Sequence, residues 1–180
     1  MKIQNKFQIS FRLAGGGFTL IEILVSVSII FLLLTISIAG YGQFNEKQKL
    51  ISAGQDMKNL IRDAQNRAFN GEMDCNMCNC DSSTGLSTSF NGWFVDFDSG
   101  SIYGMCNDTP FFEKDFGVSA KITVVPHITP ADKILFRYKP PSVDRKGTIC
   151  LSQENLSSFF KITINNSGDV SDNGLVEVCP

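Results

Sequence analysis

Histidine and tryptophan each occur once in 180 residues, as His127 and Trp93. A lone histidine leaves no second imidazole for a catalytic base or a histidine-rich metal site. Neither a Gly-x-Ser-x-Gly turn nor a glycine-rich phosphate loop occurs, so hydrolytic and nucleotide-dependent chemistry has no motif to rest on. Charge is missing in a positional sense too. Residues 1–17 contain no acid, residues 18–40 contain one ionisable side chain, Glu22, and no Lys or Arg follows Lys161. No proline lies between Phe18 and Phe69, and no cysteine precedes Cys75. The formal charge of −2 offers no general electrostatic case for nucleic acid, and 43% hydrophobic residues exclude a disordered chain. That charge is unevenly spread: Lys2, Lys6 and Arg12 make the first 17 residues +3 and leave −5 for the rest. The length suits one domain of ordinary size, or a small domain plus an attachment segment. A water-soluble cytosolic enzyme is a poor reading.

What is present begins with an apolar run from Phe18 to Gly40. As a helix it would reach roughly 34 Å, against about 30 Å of bilayer hydrocarbon. Basic residues before it and none of opposite sign predict that this end stays cytoplasmic while the remainder is exported. A cleaved secretory signal is the bland alternative, with Ser37-Ile38-Ala39 as a small-x-small site. Its apolar core would be unusually long, however, and would carry a carboxylate. A plain anchor has no use for Glu22, because an intramembrane acid is by default a functional residue awaiting a partner.

The helical period continues past the run. Leu50, Ala53, Met57, Leu60, Ala64 and Ala68 recur at steps of three and four, flanked by Ile51, Ile61 and Phe69, with charged residues between them. Gly71 suits the C′ position that ends such a helix. Span and amphipathic part read as one helix of about 52 residues, roughly 78 Å long, with Gly40 and Gly42 as its weak point; a helix–loop–helix broken at Gly40 is the alternative. Beyond Gly71 the pattern becomes β-like, in runs at 93–97, 118–125, 134–138, 147–151, 159–164 and 175–179, with a turn at Asn165–Asp169 and with Pro126, Pro130, Pro140 and Pro141 in connections. The expected fold class is therefore α+β: a long N-terminal helix, half membrane-spanning and half amphipathic, packed on a mostly antiparallel β-sheet domain. The expected boundaries are 1–17 for a basic leader, 18–40 for the span, 41–70 for the amphipathic continuation and 71–180 for the exported domain.

The segment Ala14-Gly-Gly-Gly-Phe-Thr-Leu-Ile-Glu22, a basic leader ending in glycine before an apolar helix, resembles the N-terminus of type IV prepilins and type II secretion pseudopilins. That resemblance implies a pilin-like fold and cleavage by a prepilin peptidase between Gly17 and Phe18. It also implies N-methylation of Phe18 and a role for Glu22 as the assembly carboxylate. Such a cut removes the +3 leader and leaves the helix anchored. The new ammonium of Phe18 then lies one helical turn from Glu22, each charge costly in apolar surroundings until paired, within the subunit or with a neighbour. Further along, Leu60–Ala68, Gly92-Trp93-Phe-Val and the run from Phe160 into Gly168 resemble the H-type minor pseudopilins and FimT-type minor pilins; Glu72–Cys80 departs from that pattern. The resemblance implies a non-enzymatic, single-pass subunit of the cytoplasmic membrane. Its partners would be other pilin or pseudopilin subunits, the peptidase and the membrane, the last through residues 18–40.

Six cysteines, Cys75, Cys78, Cys80, Cys106, Cys150 and Cys179, all fall on the expected exported side. An oxidising compartment makes disulfides the default, with fifteen pairings open in principle, and crowded neighbours such as Cys75, Cys78 and Cys80 are expected to seek distant partners. A zinc or redox site on Cys75-x-x-Cys78 is the sharper alternative, although no second such pair exists and His127 suits a strand end better than a ligand. Asp96, Asp98, Asp169 and Asp172 lie in turns where calcium could bind, without the ligand order of a calcium loop. No cofactor is otherwise implied, and catalytic residues are expected to be none. The runner-up function is a minor pilin with a binding role at a filament tip, in DNA uptake or adhesion. Its feature would be Arg137, Lys139, Arg145 and Lys146 around Pro140-Pro141, diluted by Asp144; the −5 charge of the mature chain argues against it.

Overall fold

In a computed structural model of the chain, residues 17–81, 87, 89–129 and 131–179 are described, without the side chains of residues 36–40. The expected leader therefore lies outside the described residues except for Gly17. These residues form mixed helix and antiparallel sheet. Helix α1 runs Leu20–Phe69, and the chain divides into two units between Tyr41 and Gly42.

In the first unit the chain enters α1 through Thr19. Ser26, Ser28 and Thr35 donate their hydroxyls to helix carbonyls of Glu22, Leu24 and Leu32, each at 2.8 Å. These three hydroxyls are thus absorbed by the helix itself. Among the described residues no helix is long and apolar enough to cross a membrane. The last five positions of the expected span, residues 36–40, have side chains outside those described. Leu20–Thr35 alone reaches about 24 Å, short of about 30 Å of hydrocarbon.

In the second unit α1 ends in a Schellman motif. The N–H of Glu72 donates to the Arg67 carbonyl at 2.8 Å and that of Gly71 to the Ala68 carbonyl at 3.0 Å. Gly71, at φ +69°, takes the left-handed C′ conformation that a side chain would oppose. A short helix α2, Cys75–Cys78, follows. Among the described residues nine strands come after it, in two antiparallel sheets. The first sheet has the order β3-β2-β1-β5-β6, from β1 (Phe90–Asp96), β2 (Ser101–Cys106), β3 (Thr109–Asp115), β5 (Lys133–Arg137) and β6 (Ser142–Val143). The second has the order β4-β7-β8-β9, from β4 (Ile122–His127), β7 (Gly147–Gln153), β8 (Phe159–Ile164) and β9 (Val170–Val176).

One core joins this half of α1 to both sheets. Leu50, Met57, Ile61, Ala64 and Ala68 are buried with Trp93, Val95, Ile134 and Phe136 of the first sheet and Ile149, Leu151, Phe160 and Ile162 of the second. The buried stripe keeps Leu50, Met57, Ala64 and Ala68 of the expected one, but Gly54 and Ile61 take the places of Ala53 and Leu60, which are half-buried. Gly54 has no apolar side chain to reveal it. Polar residues beside the stripe clamp the second sheet. Arg62 donates through Nη2 to the Val170 carbonyl at 2.7 Å, Gln65 donates to the Gly168 carbonyl at 2.7 Å, and Lys58 pairs with Asp172. Trp93 donates its Nε1–H to the Glu72 carbonyl at 2.8 Å, so the one tryptophan is both packed and satisfied.

Several strand expectations shift. The hairpin of β2 and β3 was not expected, although Asn107 and Asp108, at φ +46° and +64°, supply the consecutive left-handed residues of a type I′ turn. The last strand starts at Val170, directly after the Asn165–Asp169 turn, and not at Leu175. Pro126 lies inside β4 and not in a connection. β4 is an edge strand, where a missing N–H is tolerated.

Candidate functional site

The N-terminal segment presents its chemistry in one helical turn. Gly17 is exposed, and a Cβ added there would meet nothing within 4 Å. The N–H of Glu22 donates to the Thr19 carbonyl at 3.1 Å and to Thr19 Oγ1 at 3.3 Å. Thr19 is therefore the N-cap and Glu22 the N3 residue. Thr19-Leu-Ile-Glu22 has the sequence of a capping box, and Phe18 and Ile23 occupy the N′ and N4 positions of a hydrophobic staple. A carboxylate at N3 also faces the positive end of the helix dipole. The sequence reading missed this local account of Glu22, although the spacing alone signals it.

Around Glu22 the apolar side chains stand open. Phe18 is 76% exposed and Leu20 83%, and large hydrophobic residues through Leu34 are exposed to at least 43%. An apolar surface of this extent is a surface awaiting cover.

All six cysteines are paired. Cys75 joins Cys80, five residues on; Cys78 joins Cys106; Cys150 joins Cys179. Only Cys78 of the crowded trio takes a distant partner, because the α2 turn brings Cys75 and Cys80 to a Cα separation of 4.9 Å, inside the usual range for a bridge. No thiolate pair is left on Cys75-x-x-Cys78 for zinc. Among the described residues one group of three metal-ligand types gathers, His127 with Cys150 and Cys179, and its two sulfurs are bonded to each other. A disulfide sulfur is not a thiolate ligand.

The four aspartates expected in turns are not all there, since Asp96 ends β1 and Asp172 lies within β9, and among the described residues they form no cluster. Asp96 is buried and pairs with Lys133 at 2.7 Å, accepting also from the N–H groups of Asp98 and Ser99. Burial works to raise its carboxyl pKa, but the Lys133 and backbone hydrogen bonds outweigh it and hold the pKa below the ordinary value. The same hydrogen bond raises that of Lys133. Asp172 is lowered chiefly by its hydrogen bond from Lys58. Asp169 lies at the β8–β9 turn, where its N–H donates to Asn165 Oδ1 at 2.9 Å.

The cations around Pro140-Pro141 separate as well. Arg137 and Lys139 line a groove with Phe94, Met105 and Leu135. Arg145 donates to the Lys133 carbonyl at 3.1 Å and faces Asp144, and it lines a different groove with Lys146, Thr148 and Thr163. The sequence cluster is thus two surfaces and not one basic stripe.

No protein-family model, curated protein or solved structure matches this chain.

Proposed function

We propose that this chain is a pilin-like structural subunit of a type IV filament, either a type IV pilus or a type II secretion pseudopilus, and a minor one. It is cut between Gly17 and Phe18 by a prepilin peptidase and methylated on Phe18. It sits in the cytoplasmic membrane through residues 18–40 with its disulfide-bearing domain exported. From there it enters the filament through the apolar helix. Its role is assembly and not catalysis.

The observation that carries this reading is the exposed apolar helix entered at Phe18 and bearing Glu22 in its first turn. The hydroxyls of Ser26, Ser28 and Thr35 are absorbed internally, so from Leu20 to Thr35 the described surface offers neighbours mainly apolar groups and one carboxylate. Lipid before assembly, and the same helices of other subunits after it, are covers of matching chemistry. A free ammonium on Phe18 supplies the charge that an acid in such a place needs. Three disulfides agree with an oxidising compartment for the remainder. A tip-located DNA-binding role has less support, since the four cations it would use fall on two surfaces.

Mass spectrometry of the mature chain tests the proposal. The expected first residue is Phe18 carrying one added methyl group. A chain that starts at Gly40 is an ordinary signal-peptide product and defeats the reading.

A further inference from the structure

A groove of about 690 Å³ lies on the first sheet. By strand alternation its floor residues, Phe94 of β1 and Leu135 of β5, point away from the core face that carries Trp93, Val95, Ile134 and Phe136. The groove is polarised. Its acids, Asp81 and Asp108, come from the exit of α2 and the β2–β3 turn, whereas its cations, Arg137 and Lys139, come from the end of β5 and the residues after it. Lys139 lies 4.9 Å over the Tyr138 ring. Among the described residues, neither cation has a carboxylate within ion-pair distance. The groove therefore offers an apolar floor with two unpaired positive charges at one end.

The complementary chemistry lies on the other sheet. β9 is an edge strand with β8 as its one partner, and the segment that leaves it is acidic and apolar. Glu177 is exposed, Val178 is 76% exposed and Leu175 36%, and no Lys or Arg follows Lys161. Among the described residues Glu177 has no cation within ion-pair distance. The Cys150–Cys179 bridge ties this segment back to β7, so presenting it to a partner orders little additional chain.

We propose that the groove of one copy holds Leu175–Val178 of a second copy. Glu177 then meets Arg137 and Lys139, and Leu175 and Val178 cover Phe94, Met105 and Leu135. Groove and segment are different patches, so the contact is heterologous: each copy that fills a groove still presents its own. Unless such a contact closes into a ring it propagates as an open chain. It adds to the filament reading a contact between exported domains and rests on that reading for its place in a filament. It does not depend on the leader or on Glu22.

A photoreactive benzophenone amino acid at Val178 of the full chain, in detergent micelles, tests the contact. The expected product is a cross-linked dimer whose adduct maps by mass spectrometry to residues 90–105 or 135–139. Reversing the groove charges (Arg137→Glu with Lys139→Glu) should lower adduct yield about tenfold or more, and so should Glu177→Arg alone, because each sets like charges together. Combining the two reversals should restore most of the yield. All these positions are exposed, and three intact disulfides with unchanged circular dichroism show that each variant folds. No adduct, an adduct elsewhere, indifference to charge reversal or failure of the combined variant to recover would each overturn the proposal. So would groove variants that lose oligonucleotide binding while the adduct persists, which would assign the groove to nucleic acid. A chain that begins at methylated Phe18 yet gives no adduct defeats this contact alone, whereas an adduct on a chain that begins at Gly40 defeats the filament reading alone.

Discussion

Gly54 sets helix propensity against packing, and Gly54→Ala decides between them. Gly54 is buried within α1, and on propensity alone alanine there should stabilise by about 1 kcal/mol. A Cβ on Gly54, however, would lie 2.1 Å from Cδ1 and 2.4 Å from Cγ of Phe160. Those atoms are the root of the ring, not a flexible end, and Phe160 is buried in β8 between Leu151 and Leu175 as its cross-strand partners. Overpacking of this kind costs about 1–3 kcal/mol, and the upper end applies because neither helix nor strand can yield alone. The net expectation is a loss of about 2 kcal/mol once the propensity gain is subtracted, a fall of about 4–8 °C in Tm for a domain of this size. Equilibrium urea unfolding of the oxidised chain, followed by the fluorescence of Trp93, reads it. Phe160→Leu in the same chain should recover at least about 1 kcal/mol of that loss, as contacting sites couple by this much. A Gly54→Ala chain as stable as the parent, or a double variant with no recovery, would refute the close-packing argument and leave propensity in charge.

Two further outcomes follow from charged groups. Asp96→Asn should lower stability at neutral pH. Because the folded pKa of Asp96 is depressed, its contribution is present above the unfolded value of about 3.9 and fades as pH falls through the folded one. Lys133, raised by the same bond, contributes fully below its unfolded value of about 10.4 and loses that contribution as pH climbs through the folded one. The gap between parent and variant in pH-dependent thermal melts should therefore be widest between about pH 5 and pH 9; a gap that widens in acid would contradict the pairing. At the other end of the chain, Glu22→Gln keeps a capping-box side chain but not the charge. Under the assembly reading it should cut incorporation into sheared filaments while leaving membrane level unchanged, and equal incorporation would reduce Glu22 to a cap.

Much of the fold was legible because its signals are local. The period of three and four over Leu50–Ala68, the glycine at 71 and the apolar alternation of β1, β5, β7 and β8 each report a residue's own neighbours in sequence. The parts that were missed depend on neighbours in space. β2 and β3 read poorly because Tyr103 and Gly104 take their places from partners across the ladder, and a Cβ on Gly104 would sit 2.1 Å from the Phe111 ring. Phe112, exposed in β3 at φ +50°, is legible from no local rule. Its ring lies 4.5 Å from the Arg67 guanidinium, which also lies 5.2 Å from Trp93. That cation–π stack, reinforced by Asp63 and Glu72 on Arg67, fastens the end of α1 to the first sheet. The Cys75–Cys80 bridge was unreadable for the same reason: only the folded α2 turn brings those two residues within reach.

The N-terminal motif is harder to apportion, because one set of residues answers two physical demands. Phe18, Thr19, Glu22 and Ile23 start a helix as well as any staple and capping box could, and that account needs neither a peptidase nor a filament. It explains why an acid stands at the fourth residue of Thr19-x-x-Glu22. It does not explain why the capped helix that follows bares its large apolar side chains from Phe18 to Leu34, or why three cations and no acid precede Gly17. A soluble helix with that cap would turn an apolar stripe inward and a polar one outward, as α1 itself does from Leu50 to Ala68. On the proposed filament reading the two halves of α1 would meet different solvents, water and core for one and an apolar surround for the other. A cap placed at the border of an apolar surround holds its carboxylate beside whatever charge the chain carries at Phe18. For a chain cut after Gly17 that charge is an ammonium, and a helix-starting acid becomes the group that a second subunit can share.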